Sequence, residues 1–106
     1  MLIFPLKKQW YEKIKSGEKT IEYREVKPYW NKRIKNEVSK LLDDDLQTNK
    51  VYYIPKVFCK LRLGYTSKYM TAYITNIEVV DGIDTDLAID KPVYAIHLAD
   101  VKEIEK

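Results

Sequence analysis

Residues Tyr69–Val80 form the stretch that most restricts the possible folds. Met70, Ala72, Ile74 and Asn76 fall on one side of a two-residue repeat, and Tyr69, Thr71, Tyr73, Thr75 and Ile77 fall on the other. That period, with so many β-branched and aromatic residues, predicts a long strand. A long strand needs neighbours on both edges, and the flanking sequence offers them. Val51–Leu63 is rich in the same residue types, interrupted by Pro55, so it predicts an edge strand or two short pieces. Gly64-Tyr65-Thr66-Ser67-Lys68 predicts the turn between the two. Asp81–Asp90 reads as an acidic loop around Gly82. Pro92–Val101 alternates again, with Tyr94, Ile96 and Leu98 opposed to Val93, Ala95, His97 and Ala99.

The first part of the chain follows a different period. Residues 1–6 predict a short apolar strand. Residues 8–16 predict a helix with Trp10, Tyr11 and Ile14 on one face, and Gly17 stands where a left-handed C-terminal cap belongs. Residues 19–25 predict a strand with Ile21 and Tyr23 on one side and Thr20, Glu22 and Arg24 on the other. Pro28 fits the first turn of a second helix, whose apolar stripe is Trp30, Ile34, Val38, Leu41 and Leu42. Asp43-Asp44-Asp45 is unfavourable at a helix C-terminus, so residues 43–50 read as an exposed loop. Helices among mostly antiparallel strands give an α+β fold in which a small sheet of about five to six strands curls towards a barrel, flanked by two helices. Closing such a sheet into a barrel removes the exposed edges.

The 106 residues suit a single domain spanning 1–106, large enough for one core without metal or disulfide staples. No apolar run approaches the ~20 residues of a membrane span, and the apolar N-terminus is too short for a signal peptide. A single cysteine, Cys59, excludes an internal disulfide and fits a reducing cytoplasm. The net charge of +3 is unevenly spread: residues 1–40 carry 11 Lys and Arg against 5 Asp and Glu, and residues 41–106 carry 8 against 11. A basic first part suits an anionic partner such as nucleic acid, and equally a solvated basic face.

Gly17–Arg24 concentrates the candidate chemistry. Glu22 and Arg24 are two apart on a predicted strand and leave the same face, with Lys19 at the strand's mouth. Arg24 offers a planar fork for a phosphate or for Glu22. Glu22 can accept from an exocyclic amine of a base. Lys19 can hold a phosphate or act as a base. The alternative is a Glu22–Arg24 pair that only orients the turn. Lys7 and Lys8, between the first strand and first helix, can add to an anion site or stand on the surface.

In this order of elements the chain resembles the ASCH group of the PUA-like superfamily. The pattern G-x-K-x-x-E-x-R is matched at Gly17, Lys19, Glu22 and Arg24. It lies after the Leu2-Ile3-Phe4 strand and the helix ending Ile14-Lys15-Ser16-Gly17, and before Leu63-Gly64-Tyr65, Thr71–Ile77 and Val93–Val101. The resemblance covers most of the chain. It implies a PUA-like barrel with a cleft lined by the motif, and an RNA or modified nucleoside or nucleotide as partner. It also favours Tyr65 over the other tyrosines as a residue projecting into that cleft. An enzymatic alternative follows from the same resemblance, because some relatives remove the acetyl group of N4-acetylcytidine and another line is ribonucleolytic. Lys19 would then be the base and Glu22 an acid/base or water-orienting group. The deacetylating relatives carry a threonine where this chain has Glu22. Thr20 does not match that position, and Glu78 matches their glutamate by order alone.

His97 has no second histidine or cysteine near it in sequence, so no metal or other cofactor is expected. It reads as a hydrogen-bonded strand residue. Cys59 reads as a buried thiol and Trp30 as a core residue beside Ile34.

Overall fold

The computed structural model describes residues 1–42 and 57–104, with side chains described to residue 37 in the first segment. The elements are β1 (Leu2–Leu6), α1 (Lys8–Lys15), β2 (Ile21–Glu25), α2 (Pro28–Leu42), β3 (Val57–Leu63), β4 (Tyr69–Asp81), a 3-10 turn (Gly82–Asp84) and β5 (Pro92–Ile104). The predicted loop 43–50 and the first part of the predicted strand Val51–Leu63 lie outside the described residues. So do the side chains of Val38, Leu41 and Leu42.

The fold is α+β. Five strands form one curled, half-barrel sheet in the order β1-β3-β4-β5-β2. β1 runs parallel to β3, and the other neighbours are antiparallel. The parallel pair arises because the chain leaves β1, builds α1, β2 and α2, and then returns beside its first strand. β1 and β2 are therefore the two edges of the sheet, and the curl turns them towards each other.

The inner face of the sheet is apolar by simple alternation. Leu2, Phe4 and Leu6 of β1 point in with Cys59 and Leu61 of β3 and with Met70, Ala72 and Ile74 of β4. Tyr11 and Ile14 of α1, and Trp30 and Ile34 of α2, cover this face. Each fully buried side chain of this kind contributes roughly 1.5–3 kcal/mol. Trp10 departs from the expected helix face: it is only partly buried and turns to the side of the barrel.

Two irregularities shift the alternation. Between Ile74 and Asn76 the β4–β5 register slips, so Ile77, expected on the outward face, packs against the core instead. A second slip lies between Thr71 and Tyr73, opposite Asp100 of β5, whose φ is +52°. An extra residue in one strand of an antiparallel pair reverses the facing of all that follow. Among the described residues no helix is long and apolar enough to cross a membrane.

Candidate functional site

The turn from α1 into β2 sets the site. Gly17 adopts φ +85° just past the helix, and its N–H donates to the Ile14 carbonyl at 3.1 Å. An L side chain would be strained there, which fixes glycine at the cap. Lys19 N–H then donates to the Lys13 carbonyl, and Leu98 N–H donates to the Thr20 carbonyl. Pairing with β5 starts at Ile21, two residues later than expected. Glu22 lies opposite Ile96 and Arg24 opposite Tyr94, so both point to the inner side of the barrel.

Glu22 is the one buried charged residue among those described, 5% exposed. One carboxylate oxygen accepts from the Tyr23 N–H at 2.9 Å, the other from Arg24 Nη2 at 3.0 Å, and Lys19 Nζ stands 3.8 Å away. Its charge reaches the core: the Cys59 thiol is pushed up to about 12, first by burial and then by the Glu22 carboxylate. The expected Glu22–Arg24 pair therefore exists, but it lies in the cleft wall.

Arg24 does more than pair with Glu22. The same Nη2 donates to the Pro5 carbonyl of β1 at 2.8 Å. A side chain of one edge strand thus bonds the backbone of the other, closing the seam that main-chain pairing leaves open. The guanidinium also faces the rings of Phe4 (5.3 Å) and Trp30 (5.2 Å). Its Nε–H is buried with no partner.

Lys19 is held on every side. Its side chain is only 9% exposed. Nζ lies 5.0 Å from the Trp10 ring and 4.9 Å from the Tyr23 ring, and it pairs with the Asp86 carboxylate. Asp86 comes from the loop after β4, which folds back on Gly82. The Gly82 N–H donates to the Lys91 carbonyl, and its own carbonyl accepts from Ile89 and Thr85. A Cβ at Gly82 would meet the Lys91 and Ile89 carbonyl oxygens at 2.7 and 2.8 Å, so only glycine allows this closure. Tyr23 titrates higher than usual, through burial first and then the Asp86 and Glu78 carboxylates.

These groups line one cleft of about 400 Å³ beside the β1/β2 seam. That falls within the roughly 300–1,000 Å³ of small-molecule sites. Lys19, Glu22 and Arg24, expected from the sequence to act together, all line it, and so does Lys7. Trp10, Trp30, Lys27 and Asp86 also line it and were not singled out as cleft residues by sequence reading. Lys7 and Lys27 precede α1 and α2 respectively, and neither has an ion-pair partner among the described residues. A second hollow of about 370 Å³ shares Trp10, Lys19, Tyr23 and Asp86, so the Lys19–Asp86 pair stands between the two.

Of the residues expected in the cleft, Tyr65 lies elsewhere. Tyr65 is 90% exposed in the β3–β4 turn and is not among the residues lining the cleft. His97 is on the outward face of β5, with Nε2 3.0 Å from a Glu78 carboxylate oxygen. Among the described residues no group of three His, Cys, Asp or Glu side chains is placed to hold a metal ion. Cys59 is fully buried. The chain matches no family model, no curated protein and no solved structure.

Proposed function

We propose that this chain is an RNA- or modified-nucleotide-binding module of ASCH type, PUA-like in fold, whose cleft takes a nucleobase. One observation carries the reading: Lys19, Glu22 and Arg24 converge on a single concave cleft walled by the rings of Trp10, Tyr23 and Trp30. A base is a flat ring with donors and acceptors on its edge, and it suits aromatic walls and a buried carboxylate. The unpartnered Arg24 Nε–H offers a further donor, and satisfying it recovers a penalty of about 1–3 kcal/mol. At the mouth, unpaired Lys7 and Lys27 suit a phosphate, while Lys19 is already engaged by two carboxylates.

Binding is favoured over acyl transfer by the lining itself. Among the described residues the lining contains no serine, threonine or cysteine, the hydroxyl and thiol nucleophiles of acyl transfer. Thr20 is exposed and lines the neighbouring hollow.

Both tryptophans of the chain line the cleft, so intrinsic fluorescence reports its occupancy directly. Nucleoside monophosphates and N4-acetylcytidine, titrated in turn, are expected to quench it saturably. Lys27→Gln should weaken the phosphorylated ligands and spare the bare nucleoside. Quenching by no nucleoside or nucleotide refutes the assignment, and release of acetate in the same tubes would replace it with the hydrolase.

A further inference from the structure

The outward face of the sheet carries a second surface, sharing no residue with the cleft apart from the β1 edge. Register aligns its side chains in rows across the strands. Lys60 of β3, Thr71 of β4 and Lys102 of β5 form one row. Arg62, Tyr69 and Ile104 form the next, and Phe58, Tyr73 and Ala99 a third. The rings of Phe58 and Tyr73 stack at 4.1 Å with 31° between planes, and Phe58 is 44% exposed. Lys60 Nζ sits 4.5 Å over the Tyr69 ring. Arg62 and Lys102 are exposed, and neither has an ion-pair partner among the described residues. No carboxylate stands in these three rows; Asp100 lies at the bulge beside Ala99.

Phe58, 44% exposed and tilted 31° against Tyr73, offers an aromatic platform on a face set with cations, the combination that binds single strands. Three cations in the two rows beside the pair point to an anionic partner, and the exposed ring points to one with unpaired planar groups. A duplex offers phosphates but hides its bases. An acidic peptide offers charge but leaves the rings bare. We infer that this face binds single-stranded nucleic acid, with a base stacked on Phe58 and Tyr73 and phosphates held by Lys60, Arg62 and Lys102. The second β4–β5 slip assists: by reversing the facing of β5 beyond Asp100 it brings Lys102 outward, in line with Lys60. The two lysines flank β4 at two strand spacings, about 10 Å, so the backbone crosses the strands rather than following one.

The test uses the whole chain and a fluorescein-labelled single-stranded RNA of about eight nucleotides, a length within the usual site sizes. Anisotropy is read over a series of salt concentrations. Three phosphate contacts give a log–log slope of about −2, an affinity loss of about twentyfold for a fourfold rise in salt. Lys102→Gln, fully on the surface, should reduce the slope by about 0.7. Phe58→Ser should weaken binding about tenfold at every salt concentration, the signature of lost stacking. Lys102→Gln and Phe58→Ser should leave the quenching of the cleft tryptophans by nucleoside monophosphates unchanged, which separates this surface from the cleft. The inference is overturned if no RNA binds at low salt, or if Lys102→Gln and Phe58→Ser both bind within about twofold of the parent. Equal binding of a duplex, or equally effective displacement by polyglutamate, overturns it too, because the face would then read charge alone.

Discussion

Arg24→Met tests how far one side chain holds the barrel closed. The substitution keeps an unbranched apolar stem between Phe4 and Trp30 but removes both bonds from Nη2: the one to Pro5 at 2.8 Å and the one to Glu22 at 3.0 Å. Hydrogen bonds to charged groups are worth about 1.5–3 kcal/mol each. Leaving a buried charge unpaired costs about 3–5 kcal/mol, but here Lys19 remains 3.8 Å from Glu22 and the Tyr23 N–H still donates to it. The partial compensation puts the expected loss at about 3 kcal/mol, or roughly 12 °C of melting temperature for a chain of this size. Urea denaturation followed by circular dichroism measures it. Arg24→Lys should recover less than half, since an ammonium cannot serve both acceptors in the guanidinium's geometry. Adding Glu22→Gln to Arg24→Met should cost little more, because it removes the charge that the first change stranded; a coupling of about 1–2 kcal/mol is expected. A loss below about 1 kcal/mol for Arg24→Met, or strict additivity in the double variant, would refute the account of the seam.

Gly82→Ala forces a methyl group against two carbonyl oxygens and Val93 Cγ1, all within 2.8 Å. It should destabilise by about 1–3 kcal/mol in urea and, by displacing Asp86, weaken ligand quenching of the tryptophans. The Cys59 thiol, pushed up to about 12, is about one part in ten thousand thiolate near pH 8. Its reaction with a disulfide reagent should therefore be at least a hundredfold slower in the native protein than in urea, where an equal rate would contradict its burial. Glu103 is held below its usual 4.5, first by the Tyr11 hydroxyl; burial opposes this, and Lys15 and then Lys68 add to the lowering. A carboxyl lowered on folding stabilises the protein above 4.5 and loses that contribution as pH falls through its native value. Glu103→Gln should accordingly flatten the stability profile below pH 4.5 and leave its shape above that unchanged, as read by urea midpoints across pH.

The sequence showed those features that local chemistry decides. Gly17 ends α1 because only a left-handed residue closes it, and Pro28 opens α2 because its missing N–H is harmless there. Alternation placed Glu22 and Arg24 together on one side of β2. Features set by pairing stayed hidden. Alternation tells which side chains share a face but not which strand lies next, so the parallel β1–β3 pair had no local mark. The slip after Ile74 likewise leaves no signature, and it sent Ile77 to the opposite face from the one its parity indicates. Asp86 reached Lys19 only through a loop closed by contacts at Gly82, and the acidic run gave no reason to choose it over its neighbours. Tyr65 was favoured by its place after Gly64, yet the turn carries it outward into solvent.

The Arg24–Pro5 bond joins the two edge strands through a single side chain rather than a ladder. Such a closure can release without disturbing the four strand pairings, so the barrel can breathe along one line while its core stays intact. A ligand seated there would act as a latch. It would slow amide exchange in β1 and β2 together, although the two strands share no backbone hydrogen bond.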